Sequence, residues 1–209
     1  MPKLIDETAM PRAWLRKRKR DQYYRAAKRT GYRSRAAYKL KQIVKKFNLT
    51  REGDTILDLG AAPGGWSQVA KEIVGEAGTV FAVDRVRIRD MEGVSIMTLD
   101  LETEGAVERL KEWTGGPVDV VLSDMSPKFS GNRTKDHALS VHLSGIALAV
   151  AAQVLRKGGN AVTKVFQGDM YDDYLASVKK RFSFVKGHRP KATISESAEM
   201  YVIAKGFRG

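Results

Sequence analysis

Three absences limit what this chain can be. It contains no cysteine, which excludes disulfide bonds and thiolate metal sites. Its three histidines, His137, His142 and His188, stand in no ligand-like spacing, so we predict no metal site. No apolar run approaches the roughly 20 residues that cross a bilayer, and the amino terminus lacks the apolar segment of a signal peptide. These absences favour a cytoplasmic protein with no membrane partner.

Positive charge is concentrated in one part of the chain. The 209 residues suffice for one domain with a sizeable core, and their formal net charge is +13. Nearly all of the excess lies between Arg12 and Lys41, opposed only by Asp21 and interleaved with aromatic residues. Such a segment attracts a polyanion by releasing counterions, and its aromatic rings can stack on unpaired bases. The candidate RNA-binding residues are Arg16, Lys17, Arg18, Lys19, Arg20, Arg33 and Arg35.

A change of pattern divides the chain. We predict a basic RNA-binding extension over residues 1–33 and a folded domain over residues 34–209. From Ser34 onward apolar residues recur at helical spacing, so Ser34 is a plausible N-cap and Lys39 lies on an ordered helix. A solvated tail that aids solubility is the alternative interpretation of the extension.

A glycine-rich turn follows the first predicted strand. Residues 58–65 read DLGAAPGG and directly follow the apolar residues 55–57. Glycine lets the backbone bend tightly and approach a ligand closely, and open α/β sheets bind nucleotide-like cofactors at this end of a strand. The spacing is neither the G-x-G-x-x-G of a dinucleotide site nor the G-K-[ST] ending of a P-loop. Nicotinamide and nucleoside triphosphates are therefore not the first choice.

Two acids follow the next two predicted strands. Asp84 ends the strand at residues 79–83 and suits a carboxylate that holds ribose hydroxyls. Asp100 follows the strand at residues 94–98 and is placed to accept from an adenine amino group. The glycine turn and the two acids together predict S-adenosylmethionine as cofactor, with a nicotinamide-dependent oxidoreductase ranked well below.

The order of predicted elements gives the fold class. The remaining strands are predicted at residues 118–122, 160–166, 182–186 and 199–205, and helices at residues 36–47, 67–74, 104–113, 136–155 and 171–180. Gly158 and Gly159 are predicted to stop the fourth of these helices. Seven strands that alternate with helices predict an α/β, doubly wound, Rossmann-like sheet with helices on both faces. The last two strands are joined without a helix pattern, so the last strand is predicted to run antiparallel.

Polar residues interrupt or end several of these strands. Asp124 follows the fourth strand and should lie at the same edge as the glycine turn. Lys164 interrupts an apolar strand, so it must either reach solvent beyond the sheet or be paired in a cleft. Glu199 opens the last strand, where a plain surface acid is an equally good interpretation.

Five segments of the sequence carry a family resemblance. They are DQYYRAAKRTGYRSRAAYKL at 21–40, ILDLGAAPGGWSQ at 56–68, LSDMSP at 122–127, KVFQG at 164–168 and SAEMYVIA at 197–204. The chain resembles the FtsJ/RlmE-type ribose 2′-O-methyltransferases, and its amino-terminal segment looks closer to archaeal and eukaryotic members than to bacterial ones. The resemblance implies a class I S-adenosylmethionine-dependent methyltransferase fold. It places the catalytic tetrad on Lys39, Asp124, Lys164 and Glu199. The candidate cofactor-binding residues are Gly60, Ala62, Pro63, Gly64, Gly65, Trp66, Asp84, Asp100 and Asp124.

The activity implied is methyl transfer from S-adenosylmethionine to a ribose 2′-hydroxyl of RNA. That hydroxyl needs a base beside it, and Lys164 is the candidate base, oriented by Asp124 and Glu199, while Lys39 steadies the developing alkoxide. The expected target is a uridine in the A-loop of large-subunit (23S) ribosomal RNA, either free or in the assembled subunit. A ribose in the tRNA anticodon loop is the alternative, and a non-catalytic RNA-binding protein ranks lower. No obligatory protein partner and no metal are predicted.

Overall fold

A computed structural model describes residues 21–194 and 196–209 of the chain. The candidate RNA-binding residues Arg16, Lys17, Arg18, Lys19 and Arg20 lie outside them. The helices are α1 (Gln22–Thr30), α2 (Ala37–Phe47), α3 (Gly65–Val74), α4 (Ala106–Thr114), α5 (Arg133–Val154) and α6 (Tyr171–Arg181). The strands are β1 (Thr55–Leu59), β2 (Thr79–Asp84), β3 (Val94–Thr98), β4 (Val118–Ser123), β5 (Leu155–Phe166), β6 (Phe182–His188) and β7 (Glu199–Phe207).

The seven strands form one mixed sheet in the order β3-β2-β1-β4-β5-β7-β6. Neighbouring strands from β3 to β5 pair in parallel, whereas β7 is antiparallel to both β5 and β6. The parallel strands are connected through helices, but β6 leads into β7 without a helix, so β7 enters the sheet in the opposite direction. The predicted Rossmann-like fold class, with its antiparallel last strand, is confirmed.

Each face of the sheet carries its own apolar core. Helices α4, α5 and α6 cover one face, where Leu110, Val150 and Val178 are buried. Helices α2 and α3 cover the other face through Leu40 and Val69. The two cores share β4, whose Val120 and Val121 belong to opposite cores because successive side chains of a strand point to opposite faces.

Helix α5 begins earlier than the sequence predicts, and it ends within one residue of the predicted position but for a different reason. It begins earlier because the side chain of Asn132 accepts a hydrogen bond from the Lys135 backbone N–H (3.1 Å) and so caps the helix. The predicted stop at Gly158 and Gly159 is wrong, since the chain turns from helix into extended backbone at Leu155. The glycines instead lie in the irregular start of β5, where the pairing register with β4 shifts.

Helix α5 also has the length and composition of a membrane-crossing helix. Its apolar face is nevertheless occupied within the domain, because Val150, Ala151 and Val154 are buried against the sheet. Packing in the core therefore accounts for the hydropathy of this helix.

The described part of the predicted extension is folded. Asp21 caps α1 by accepting from the backbone N–H groups of Tyr23 (2.9 Å) and Tyr24 (3.2 Å). The ring of Tyr38 packs against those of Tyr23 and Tyr32, with centroids 5.6 and 5.7 Å apart. These rings are thus engaged with one another. The domain boundary at residue 33 stays a prediction.

The start of α2 corrects one further prediction. Ser34 is not the N-cap, because the helix begins at Ala37 after Ala36 and has no side-chain cap. The hydroxyl of Ser34 lies instead against the glycine-rich turn, where a Cβ on Gly65 would come within 2.2 Å of its Oγ. The segment before α2 therefore packs on the turn before α3.

Candidate active site

Strand register brings three of the four candidate catalytic residues to one edge of the sheet, and α2 carries the fourth, Lys39. Lys164 near the end of β5 pairs with Tyr201 of β7, and Glu199 pairs with Phe166. Because side chains alternate along a strand, Glu199 and Tyr201 share one face of β7. Asp124 directly follows β4, the parallel neighbour of β5. Asp124 and Lys164 therefore lie at the carboxyl ends of β4 and β5, beside Glu199 at the start of the antiparallel β7.

The tetrad forms two ion pairs. Lys164 Nζ donates to the backbone oxygen of Asp124 (2.6 Å) and lies 3.2 Å from its Oδ1. Lys39 Nζ, carried by α2, lies 2.6 Å from Glu199 Oε2. The Lys164 side chain is only 5% exposed, so this lysine is paired in a cleft and does not reach solvent beyond the sheet.

Tyr201 joins the two pairs, and sequence reasoning did not single it out. Its hydroxyl donates to Asp124 Oδ1 (2.7 Å), and Lys39 Nζ lies 5.6 Å from its ring centroid. Burial, followed by the nearby charges of Asp124 and Glu199, raises the pKa of Tyr201 well above its ordinary value. Tyr201 is therefore a neutral donor. The signal available in the sequence was its position two residues after Glu199 in an alternating strand.

The charge on Asp124 is set by these neighbours. Burial opposes its ionisation, but the ammonium groups of Lys164 and Lys39 and the Tyr201 hydroxyl outweigh that effect and hold the pKa of Asp124 below its ordinary value. The tetrad thus keeps an ionised carboxylate beside a buried lysine. Two lysines and two acids balance formally, so the group is a charge-matched polar network at the edge of the sheet.

A cavity of about 810 Å³ adjoins the tetrad. Acidic side chains from the ends of β2, β3 and β4 line it, namely Asp84, Asp100 and Asp124, together with Gly60 and Ala62 of the glycine turn. Its opposite wall is partly apolar and includes Leu139, Leu143 and Ile146 of α5. Asp124 belongs to both the cavity wall and the tetrad, so the two sites meet at this carboxylate.

The glycine turn owes its composition to close packing of protein on protein. Gly60 and Gly64 have φ angles of 69° and 109°, which confirms the tight bend. A Cβ on Gly60 would lie 2.3 Å from Met125 Cγ, and one on Gly64 would lie 2.6 Å from Met91 Cε. Protein side chains thus occupy the positions that a Cβ would need, while Gly60 also lines the cavity, so cofactor contacts of these glycines stay predictions.

Asp84 holds the turn in place. One of its carboxylate oxygens accepts from the Ala62 backbone N–H (2.9 Å) and the other from the Val86 N–H (3.0 Å). Each carboxylate oxygen has more than one acceptor site, so Asp84 retains capacity for ribose hydroxyls. Asp100 similarly accepts from the Glu102 N–H (3.0 Å) while it lines the cavity.

Four candidate cofactor residues, Pro63, Gly64, Gly65 and Trp66, are not part of the cavity wall. The indole of Trp66 is buried, donates to the Ala36 backbone oxygen (2.9 Å) and packs on Tyr201 with centroids 5.6 Å apart. The Trp66 side chain belongs to the core under α2, because the first turn of α3 faces that helix. The contact between Trp66 and the cofactor stays a prediction. Because the side chain lies in the core, such a contact would be made by the Trp66 backbone.

Arg33 and Arg35 are both engaged by the protein. The Arg33 guanidinium donates to the backbone oxygens of Arg89 and Asp90, both at 2.6 Å, and of Pro63 at 3.4 Å. Arg35 forms an ion pair with Asp21 and donates to the Ala192 backbone oxygen. Arg33 therefore ties the glycine turn to the loop after β2. RNA contacts by these two residues stay predictions.

Helix α5 supports the strand that carries Lys164. The pairing of β4 with β5 ends at Thr163. Beyond that residue, side chains of α5 form hydrogen bonds with backbone groups of β5. Ser144 Oγ donates to the Lys164 oxygen (2.9 Å), and Ser140 Oγ accepts from the Phe166 N–H (3.0 Å). His137 Nδ1 lies 3.0 Å from the Phe166 oxygen. The spacing of His137, Ser140 and Ser144 by three and four residues was the available sequence signal.

The three histidines have separate surroundings. His137 binds backbone groups of the segment after β5, His142 pairs with Glu102 at 2.8 Å, and His188 packs on Phe47. Burial, and next the charges of Lys46 and Lys186, lowers the pKa of His188. Across residues 21–194 and 196–209, no group of three or more His, Cys, Asp or Glu side chains stands where it would hold a metal ion.

Comparison with known proteins agrees with this geometry. The family described as FtsJ-like methyltransferase matches residues 32–207. The chain is 50% identical over 186 residues to ribosomal RNA large subunit methyltransferase E of Methanothrix thermoacetophila, covering 89% of this chain and 72% of that protein. It is 46% identical over 201 residues to the protein of the same name in Methanocaldococcus jannaschii, covering 94% and 82%.

A solved structure shows the same fold. The crystal structure of a Plasmodium falciparum protein described as a ribosomal RNA methyltransferase superposes with a TM-score of 0.75 at 26% identity, covering 85% of this chain and all of that one. The matched segment, residues 32–207, contains the whole tetrad and every residue of the cavity wall. The chain therefore belongs to the FtsJ-like methyltransferase family.

Proposed function

We propose that this methyltransferase transfers a methyl group from S-adenosylmethionine to a ribose 2′-hydroxyl of large-subunit ribosomal RNA, with a uridine of the A-loop as the target. The observation that carries the proposal is the meeting of the cavity and the buried tetrad at Asp124. A methyl donor in the cavity would lie beside a buried lysine at the edge of the sheet. The names of the archaeal relatives support ribosomal RNA as substrate.

The cavity fits an adenosyl cofactor in size and chemistry. Its volume of about 810 Å³ lies within the range of small-molecule sites. Asp84 and Asp100 supply acceptors for ribose hydroxyls and for an amino group, and Leu143 and Ile146 supply an apolar wall for a flat ring. Bound there, S-adenosylmethionine supplies an activated methyl group and leaves as a neutral thioether, so the transfer has no need of a metal.

Lys164 is assigned the role of general base. In its neutral form its Nζ accepts the proton of the 2′-hydroxyl, and its contacts with Asp124 fix where that nitrogen stands. Lys39, held by Glu199, places positive charge beside the 2′-oxygen as it develops negative charge, or beside the adjacent phosphate, which is already charged. Both lysine side chains are buried, and the low exposure of the site to water strengthens the electrostatic effect of Lys39.

The basic amino-terminal part is assigned to RNA. Arg25, Lys28 and Arg29 are exposed on α1, and residues 16–20 add five further cations in the sequence. Contacts between these cations and phosphates predict an affinity that falls steeply as salt increases. We place the protein in the cytoplasm and propose RNA, free or in the assembled subunit, as its partner, without an obligatory protein partner.

The deciding experiment is transfer of labelled methyl from S-adenosylmethionine to three substrates. These are unmodified large ribosomal subunits, free ribosomal RNA and bulk tRNA, with the labelled nucleoside identified afterwards. We expect label on a ribose of ribosomal RNA, and we expect Lys164→Ala to abolish it while cofactor binding is retained. Lys157→Ala is the matched control, because Lys157 lies on the same strand but is exposed.

Each other outcome has a definite meaning. Label on tRNA alone would move the proposal to the anticodon-loop alternative with the same mechanism. Near wild-type transfer by Lys164→Ala would refute the base assignment. No label on any of the three RNAs would favour the RNA-binding alternative, and tight binding of a nicotinamide cofactor would favour the oxidoreductase.

A further inference from the structure

Exposed apolar side chains gather at the mouth of the cavity. Phe129 is 74% exposed, the highest value among the large hydrophobic residues described. Three of the six exposed large hydrophobic side chains within residues 21–194 and 196–209, Val86, Phe129 and Leu139, line this one cavity. Single exposed apolar residues are ordinary, but a cluster beside a pocket marks a surface that binds something.

The loop that carries Phe129 is held in a defined shape. The Asp136 carboxylate accepts from the Ser130 N–H (3.0 Å), the Ser130 hydroxyl (2.6 Å) and the Gly131 N–H (3.2 Å). Asn132 then caps α5, so the loop is fixed immediately after Phe129. An aromatic ring on a fixed loop binds a partner at a lower cost in conformational entropy than one on a free loop.

Cations flank Phe129 in the sequence, and two of them, Lys128 and Lys135, line the same cavity. Lys128, Arg133 and Lys135 are exposed on the same loop and on the first turn of α5. The sequence from Ser126 to Lys135 contains no acidic residue, and Asp136, which follows, is buried beneath the loop. An exposed aromatic ring among cations is the arrangement with which proteins bind unpaired nucleotides, since the ring stacks on a base and the cations contact phosphates.

We propose that Phe129 is a stacking platform for an unpaired base of the RNA substrate, next to the ribose that is methylated. The loop begins at Asp124, so a base on Phe129 lies along the path from solvent to Lys164. Lys128 and Arg133 contact the phosphates on either side of that base. The inference rests on the proposed function for its RNA partner, and it narrows the substrate to single-stranded or flipped nucleotides, since a stacked base in a duplex has no free face.

The alternative occupant of the ring is the cofactor itself. The acids that suit ribose and adenine, Asp84 and Asp100, stand at the ends of β2 and β3, whereas Phe129 belongs to the loop after β4. The cations around Phe129 also match a phosphate chain, and S-adenosylmethionine carries no phosphate. These two observations favour RNA over the cofactor.

The test compares variants in direct binding to a fluorescein-labelled single-stranded oligouridine and to an RNA duplex of equal length. We expect Phe129→Ala to weaken single-strand binding roughly 5- to 100-fold and duplex binding little. Phe129→Trp should retain binding. Phe184→Ala is the matched control, because Phe184 is an exposed phenylalanine of β6 that lines a different cavity.

Salt dependence and cofactor binding complete the design. Phe129→Ala should leave the slope of log affinity against log salt unchanged, whereas Lys128→Ala should make it shallower by about 0.7. Equal loss of affinity for single strand and duplex, or weaker binding of S-adenosylmethionine with unchanged RNA affinity, would overturn the proposal. Binding is measured without transfer, so the role of Phe129 is decided even if the wild-type chain fails to methylate RNA.

Discussion

The two edges of the sheet both carry cations and acids beside a cavity, yet they are built in opposite ways. At the amino edge a cavity of about 990 Å³ is lined by Arg51, Asp54, Asp119 and Arg156, whose two ion pairs leave the arginines exposed. At the carboxyl edge the smaller cavity adjoins lysines that are buried. Cavity size and charge therefore do not distinguish the two edges, whereas burial of the lysines sets apart the edge to which we assign the reaction.

The acids of the two edges show the same contrast. Partial burial opposes ionisation of Asp119, but hydrogen bonds from the Thr55 N–H and Arg156 outweigh it and lower its pKa. At the carboxyl edge, burial raises the pKa of Asp58 to about 7, helped by the charges of Asp124 and Asp84. Asp58 Oδ2 accepts from Ser67 (2.6 Å), while its Oδ1 has no partner among the described residues. The amino edge thus favours the ionised form of Asp119, whereas the carboxyl edge favours the protonated form of Asp58 and the ionised form of Asp124.

Matched amide substitutions should separate the two edges most strongly. Asp124→Asn removes the negative charge beside Lys164 and leaves only a neutral amide oxygen to accept from the Tyr201 hydroxyl, so we expect methyl transfer to fall roughly 10²- to 10⁴-fold. Asp119→Asn keeps an oxygen for the Thr55 N–H and disturbs an exposed arginine, so transfer should be unchanged. Initial rates at saturating cofactor, with cofactor affinity measured separately, make the comparison. Equal losses in both variants would remove the contrast.

Stability against pH should distinguish Asp58 from Asp119. A carboxyl whose folded pKa is raised binds its proton more tightly in the folded state, so stability is present at low pH and is lost as pH rises from 3.8 toward about 7. The loss amounts to about 1.4 kcal/mol per pH unit, or at most about 4 kcal/mol over that window. Asp58→Asn should flatten this dependence in denaturant unfolding between about pH 5 and 8.

Asp119 is the control, because its contribution to stability should change with pH in the opposite direction. Asp119 has a lowered pKa, so its contribution is present at neutral pH and is lost as pH falls through the folded value. Asp119→Asn should therefore cost stability near pH 7 and nothing in strong acid. Parallel pH curves for wild type and Asp58→Asn would show that Asp58 is ionised in the folded protein throughout.

Arg33 allows a finer test, since its sequence context favours RNA and its contacts favour the cofactor site. Arg33→Ala removes the link between the glycine turn and the loop after β2, so we expect cofactor affinity to fall about tenfold, or roughly 1.4 kcal/mol. RNA affinity should change little. Arg29→Ala, at an exposed site on α1, should show the reverse. A selective loss of RNA affinity in Arg33→Ala would restore its assignment as an RNA contact.

Local sequence patterns were enough for the fold. Strand β3 and the antiparallel β7 follow from apolar runs and from the missing helix before β7, because these are short-range signals. The start of α5 was missed by three residues, whereas its end was predicted to within one residue but from the wrong stop signal. The Asn132 cap was overlooked at one end, and at the other the chain passes from helix to strand at Leu155 without a glycine.

The site was harder to predict because its contacts are long-range. The pairs of Lys39 with Glu199 and of Gly65 with Ser34 join segments that are distant in sequence or belong to different elements. The residue types in the tetrad pointed to chemistry, but their pairing depends on the register of β4 with β5 and on the contact of α2 with the start of β7. Arg33 shows how far sequence reasoning reaches. Its place in a basic segment suggests an RNA contact and gives no sign that its guanidinium binds backbone oxygens.

The smallest expected effect tests the amino edge itself. Arg156 is 44% exposed and pairs with Asp119 at 2.5 Å, so Arg156→Ala should cost no more than about 1 kcal/mol of stability. If the larger cavity at this edge has no part in substrate binding, RNA affinity and methyl transfer should both stay at wild-type values. A clear loss of RNA affinity would place part of the RNA path at the amino edge. RNA binding would then involve both edges of the sheet. The methyl transfer itself would still be assigned to the carboxyl edge, because the buried lysines lie there.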